Sequence, residues 1–184
     1  CININIVFCI KVLGNFMIKV GFIGAGNIAT AIINGSVGSG YIMPEQIYVY
    51  DLDNKKLEPF NEMGCICCSS EIELTKICNY VFLTIKPQVY EAVLNTISPY
   101  TANTCFVDVA AGITIDFVKS ILGKATSVIR VMPNTPLMYS SGSSALVKTS
   151  PVTDEQFSFV KGFFESCGVV STVDEELIDT VIAI

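Results

Sequence analysis

The sequence of 184 residues contains no histidine, and its 11 basic residues are outnumbered by 17 acidic ones, for a formal net charge of −6. No cluster of Lys and Arg stands out. This argues against a nucleic acid or an anionic membrane as partner, and any bound phosphate must be held mainly by backbone N–H groups. Long hydrophobic runs are missing too. Mean hydropathy is high at +0.57, but no apolar run approaches the ~20 residues of a membrane span. The apolar N-terminus has neither a basic n-region nor a small-residue cleavage site. The eight cysteines therefore lack the secretory context of a disulfide framework. Cys65, Cys67 and Cys68 form C-x-C-C, without the C-x₂₋₄-C pairs or histidine partners of a zinc site. They read as reduced, mostly buried thiols packing as small hydrophobes, in a cytoplasmic chain with no metal ligand set. Internal repeats and low-complexity segments are absent.

What is present centres on Val20-Gly21-Phe22-Ile23-Gly24-Ala25-Gly26-Asn27-Ile28-Ala29. An apolar run ends at Gly24, and an apolar-periodic segment with Ile28, Ala29, Ile32 and Ile33 follows Gly26. This is the strand–turn–helix setting of the dinucleotide fingerprint G-x-G-x-x-[GA]. Gly24 permits the tight turn, Gly26 lets backbone approach a pyrophosphate, and Ala29 lets the helix pack on the sheet. The N–H groups and positive end of the helix then face the phosphates.

Strand and helix signals alternate along the chain. Strands are expected at 19–23, 47–50, 65–67, 80–85, 105–109, 127–131, 144–148 and 169–173. Helices are expected at 27–39, 54–63, 72–77, about 87–97, 115–122, 153–167 and from 175 onward. Thr114 reads as an N-cap and Gly123 as a stop, and Phe157, Val160, Phe163 and Phe164 share one face of the helix over 153–167. Pro133 and Pro136 bracket a loop, since neither can donate to a ladder. Such alternation means a doubly wound, mainly parallel α/β sheet of Rossmann type. The length suits one domain plus the start of another. Residues 1–16 lack a Met and read as a leader, Met17 as the natural start, 17–173 as the dinucleotide-binding domain, and 174–184 as the opening of a helical domain.

Ligands of such sheets lie across the carboxyl ends of the strands. After the second strand comes Asp51, 22 residues beyond Ala29, close to where an acidic residue holds the adenosine ribose. Its carboxylate would accept from both ribose hydroxyls and repel a 2′-phosphate, favouring NADH; the alternative is that Asp51 merely begins a turn with Asp53 and Asn54. Lys55 and Lys56 lie close by. Lys86-Pro87 reads as a cofactor-lining loop or as helix initiation by a Pro in the first turn. Ala110-Ala111-Gly112 presents bare backbone suited either to a flat ring or to close strand–helix packing.

These motifs, with Arg130-Val131-Met132-Pro133-Asn134-Thr135-Pro136 and Glu176-Leu177-Ile178-Asp179, resemble the pyrroline-5-carboxylate reductases over residues 17–184. The resemblance implies NAD(P)H-dependent reduction of a small cyclic imine to proline. It implies cofactor contacts from Ile23, Gly24, Ala25, Gly26, Asn27, Ile28, Asp51, Thr84, Ile85, Lys86, Pro87, Val109, Ala110 and Ala111, and a cleft near Asn134 and Thr135. The family commonly places a cofactor-contacting Asn near Ser70-Glu71. Its habit is NADPH with Ser or Asn-Arg after the second strand, whereas Asp51-Leu52 stands here. A helical second domain completes the family's active site and homo-oligomer; this sequence stops short of its opening motif, so the cofactor half is what the resemblance covers. No catalytic residue is assigned. A non-catalytic or split nucleotide-binding module and a reductase of the β-hydroxyacid dehydrogenase type are the alternatives.

Overall fold

The computed structural model describes residues 18–134 and 142–178. The expected leader, Thr135, Pro136 and the last six residues lie outside the described residues. An eight-stranded sheet has the order β3-β2-β1-β4-β5-β6-β7-β8. β1 (Val20–Ile23), β2 (Ile47–Tyr50), β3 (Ile66–Cys67), β4 (Tyr80–Leu83), β5 (Cys105–Asp108) and β6 (Ser127–Pro133) run parallel. Their carboxyl ends therefore share one edge. β7 (Gly142–Lys148) returns antiparallel to β6, and β8 (Gly168–Thr172) runs parallel to β7. A parallel crossover needs a dozen or more residues, and the connection 134–141 is shorter than that, so β7 must reverse.

The helices are α1 (Asn27–Gly38), α2 (Glu58–Met63), α3 (Glu71–Ile77), α4 (Tyr90–Ile97), α5 (Ile115–Leu122), α6 (Asp154–Glu165) and α7 (Glu175–Ile178). On one sheet face Ala29, Ile32, Phe60, Phe163 and Phe164 pack over Phe22 and Phe82. On the other, Leu74, Leu94, Ile97 and Val118 pack over Val81, Leu83 and Phe106. Helices on both faces leave no alternating polar positions in β1 and β4, whose residues are all buried, and this accounts for the high hydropathy.

Local signals set most boundaries. Thr114 accepts the Phe117 N–H at 3.1 Å, as its capping role requires, and Gly123 at φ +107° stops α5. Thr153 and Gln156 form a capping box that starts α6. The helix expected over 54–63 is instead a 3₁₀ turn at Asn54–Lys56 followed by α2, because Pro59 sits early and cannot serve as an interior donor. A 3₁₀ turn at Pro87–Val89 likewise precedes α4. Phe159, outside the expected apolar face of α6, is buried against Tyr80 with ring centroids 4.4 Å apart, while Phe157 is half-buried.

Pro133 corrects the loop expectation: it is the last residue of β6, opposite Ser144. Asn134 donates its N–H to the Ser143 carbonyl at 3.0 Å. Antiparallel hydrogen-bonded positions alternate, so residue 133 points its nitrogen away from β7, and β5 has already ended opposite Arg130. The missing N–H costs nothing there.

Candidate functional site

The glycine turn lies where β1 meets α1. Gly24 has φ +100°, and a Cβ there would lie 2.6 Å from the Thr84 carbonyl oxygen and 2.9 Å from Ile85 Cγ2. Both the backbone conformation and the close passage of the chain leaving β4 demand glycine. Thr84 closes this junction: its N–H donates to the Ile23 carbonyl at 2.9 Å, and its hydroxyl sits 2.6 Å from the Gly24 carbonyl. Gly26 is different. A Cβ there would meet nothing within 4 Å, so its face is open. Gly26 is the N-cap of α1, no side chain caps the helix, and its first turn carries no acid. Asn27 and Ile28 are exposed beside it, while Ala29 is fully buried against the sheet as expected. Open amides at a positive helix end form an anion cradle.

Asp51 follows β2 and reaches this turn. Its Oδ2 accepts the Ala25 N–H at 2.9 Å and its Oδ1 accepts the Asp53 N–H at 2.9 Å. Lys56 Nζ lies 3.4 Å from Oδ1. Burial pushes the Asp51 pKa up, but the Asp53 and Ala25 amides and the Lys56 ammonium outweigh it and hold the carboxyl below its ordinary value. The turn with Asp53 and the reach toward the glycine loop thus coexist in one carboxylate. Leu52 beside it is 91% exposed.

At the end of β4, Thr84 and Ile85 are half-buried and Lys86 and Pro87 exposed, with Pro87 opening the 3₁₀ turn. After β5, Val109 and Ala110 are buried, Ala111 is exposed, and Gly112 has φ +77°, with nothing within 4 Å of where a Cβ would stand. The turn is held from inside by Asp108, whose Oδ1 accepts the Ala110 N–H at 3.0 Å. Ser70 caps α3 by accepting the Glu73 N–H at 3.1 Å. Asn134 spends its side chain on β7, accepting the Ser143 N–H at 2.9 Å and donating to Ser143 Oγ at 3.1 Å. It directly follows β6, and its hydrogen bonds among the described residues all go to Ser143.

A cleft of about 610 Å³ opens beside β6, lined by Thr114, Asp116, Arg130, Asp174, Glu175 and Glu176. Its four carboxylates face one guanidinium, an unfavourable setting for a pyrophosphate. Sequence reasoning did not single out Tyr90 and Asp108, a buried hydrogen-bonded pair under the loops. The available signal was an Asp inside the apolar run Cys105–Ala110.

Residues 19–112 match the family described as NADP oxidoreductase, coenzyme F420-dependent, a stretch just over half of the chain. The chain belongs to that family. Within this family of NAD(P)-dependent oxidoreductases, its relatives are pyrroline-5-carboxylate reductases. That of Escherichia coli (strain K12) is 32% identical over 168 residues, which cover 90% of this chain and 62% of the relative. Pyrroline-5-carboxylate reductase 3 of Danio rerio is 35% identical over 165 residues, 89% of this chain and 57% of the relative. The structure of a pyrroline-5-carboxylate reductase from Coxiella burnetii matches with a TM-score of 0.88 at 27% identity, over 91% of this chain and 63% of that one. A Plasmodium falciparum pyrroline carboxylate reductase with NADP bound gives 0.80 at 27% identity, over 90% and 61%. The chain thus spans about three-fifths of the length of these relatives. The resemblance carried by the glycine turn, Lys86-Pro87, Ala110–Gly112 and the Arg130 run is borne out in sequence and in fold. Among the described residues no helix is long and apolar enough to cross a membrane.

Proposed function

We propose that residues 17–173 are the cofactor half of a reductase that reduces the C=N bond of 1-pyrroline-5-carboxylate to give proline. The observation that carries this reading is the open, uncapped N-terminus of α1 at Gly26, with Asp51 bonded to the same turn. The residues present fit a nicotinamide dinucleotide. The α1 amides would take the pyrophosphate, Asp51 the adenosine ribose, and the loops 84–87 and 109–111 would line the nicotinamide half. When bound, the reduced nicotinamide supplies the hydride. The carbon of a protonated cyclic imine is already electrophilic, so the residues of this chain have to position a ring face and keep water away rather than supply a strong acid. The bare backbone from Ala110 to Gly112 allows close approach of a flat ring, and Thr84 and Asp108 hold the two loops from beneath.

Asp51 favours NADH over NADPH in this reading. A carboxylate held ionised accepts hydroxyl protons and repels a 2′-phosphate, and Lys56, half-exposed, reduces that repulsion without removing it. The test is titration of the 184-residue chain with NADH and NADPH, read by nicotinamide fluorescence, then an imine-reduction assay on the same sample. Binding of both, tighter for NADH, with no turnover is expected. Absence of binding overturns the cofactor reading, turnover overturns the half-enzyme reading, and tighter NADPH binding removes the role given to Asp51.

A further inference from the structure

Under the two nicotinamide-side loops lies a polar pair that dinucleotide binding does not explain. Tyr90 opens α4 and Asp108 closes β5, and both are fully buried. The Tyr90 hydroxyl lies 2.8 Å from the carbonyl of Leu83, the last residue of β4, and 2.6 Å from Asp108 Oδ1. That same Oδ1 accepts the Ala110 N–H at 3.0 Å. Oδ2 is buried with no hydrogen-bond partner among the described residues.

A phenol has one proton and can donate it once. If Asp108 is ionised, the proton goes to the carboxylate, and the Leu83 carbonyl faces a phenol lone pair at 2.8 Å. If Asp108 is protonated, its carboxyl donates to the phenol oxygen and the phenol donates to Leu83. Every short contact then contains a proton. The partnerless Oδ2 becomes a neutral carbonyl instead of half a buried carboxylate, whose desolvation costs far more.

We propose that Tyr90 and Asp108 form a proton-linked positioning pair, which in its neutral form ties the ends of β4 and β5 to α4 and sets the loops 84–87 and 109–112 for the dinucleotide. The role rests on the cofactor reading of those loops. The charged surroundings agree with it. Burial pushes the Asp108 pKa up to about 6, against the opposing pull of the Tyr90 hydroxyl, the Ala110 amide and Arg130 of β6, and Glu175 of α7 adds to the rise. Tyr90, also buried and facing Asp108, is held well above its ordinary value and keeps its proton. Asp108 is therefore the member of the pair that titrates, at about 6. Its ionisation takes the Tyr90 proton from Leu83 and loosens the end of β4.

The test uses the whole chain as wild type, Asp108→Asn and Tyr90→Phe. NADH dissociation constants are measured by fluorescence between pH 5.5 and 8, because the 2′-phosphate of NADPH itself loses a proton near pH 6. The wild type is expected to lose about fivefold in affinity across this range, the worth of one hydrogen bond. Asp108→Asn should bind with no such slope, and Tyr90→Phe should bind at low pH as weakly as the wild type does at high pH. A residue that only filled space would alter stability and leave the pH profile in place. Carbon-13 carboxyl NMR of the wild-type chain without cofactor gives a second reading independent of variant folding. A midpoint near 6 is expected, and one below 5 overturns the proposal, as does an Asp108→Asn chain that binds NADH with the wild-type slope. A wild type that binds no NADH at any pH overturns the cofactor reading, and with it the positioning role, while the carboxyl midpoint still reports the proton on Asp108.

Discussion

Replacing Gly26 by alanine should separate cofactor binding from folding. Gly26 has φ −86° and ψ −173°, an extended conformation open to any residue, and a Cβ there would touch nothing within 4 Å. Two opposing effects act on stability. Alanine is a poorer N-cap than glycine by about 0.5–1 kcal/mol, while it removes unfolded-state freedom worth about 0.4–1 kcal/mol. They nearly cancel, so the melting temperature should stay within about 2 °C of wild type. Binding is another matter, because the new methyl group stands in the space through which a phosphate would reach the α1 amides. Loss of one hydrogen bond to a charged group costs about 1.5–3 kcal/mol, or about 10- to 150-fold in the NADH dissociation constant. Gly24→Ala is the control. At φ +100° and 2.6 Å from a backbone carbonyl, it adds about 1–3 kcal/mol of strain to a steric overlap, so it should lower the melting temperature by more than about 4 °C. Thermal melts followed by circular dichroism and NADH fluorescence titrations on the same samples decide the matter. A Gly26→Ala chain that binds NADH as well as wild type would refute the placement of the pyrophosphate.

Asp51→Ser should narrow or reverse the preference for NADH over NADPH, checked by the ratio of the two dissociation constants. The lowered pKa of Asp51 also carries stability that is present above the ordinary carboxylate value and is lost as pH falls through the folded value; urea midpoints for wild type and Asp51→Asn between pH 2.5 and 5 should converge at the acid end. Asp108 acts with the opposite sign. Its folded pKa of about 6 lies above the unfolded one, so the native state binds the extra proton, and stability falls as pH rises from about 4 to about 6 and then levels off; chemical denaturation of Asp108→Asn should lack that slope. Gly162→Ala places a Cβ 2.2 Å from the Tyr41 hydroxyl oxygen, which is held by the Phe159 carbonyl at 2.8 Å. The overpacking should cost about 1–3 kcal/mol in a urea melt, and Tyr41→Leu in the same chain should recover part of it.

Residues close in sequence made much of this fold legible. The apolar runs of β1, β4 and β5, the glycine turn, the Thr114 cap and the Gly123 stop are local devices whose energetics depend on a few neighbours. The antiparallel return of β7 and the place of Pro133 at the end of β6 were not legible, because both depend on which strand lies alongside and which nitrogen faces it. The same division runs through the site. The spacing of Gly24, Gly26 and Ala29 marks a tight turn, an open backbone face and a close helix–sheet contact. That Asp51 grips the Ala25 amide, that Thr84 closes on Gly24, and that Gly162 makes room for Tyr41 are contacts between residues far apart along the chain.

The amino-acid sequence by itself determined the doubly wound sheet, the glycine turn and the kinship, since each is written in periodicity or in a contiguous motif. Only the tertiary structure decided that a buried aspartate meets a buried tyrosine beneath the loops that follow β4 and β5. The charge state of Asp108 depends on how much water is removed and which groups close around it, and neither exists before β4, β5, β6, α4 and α7 have packed.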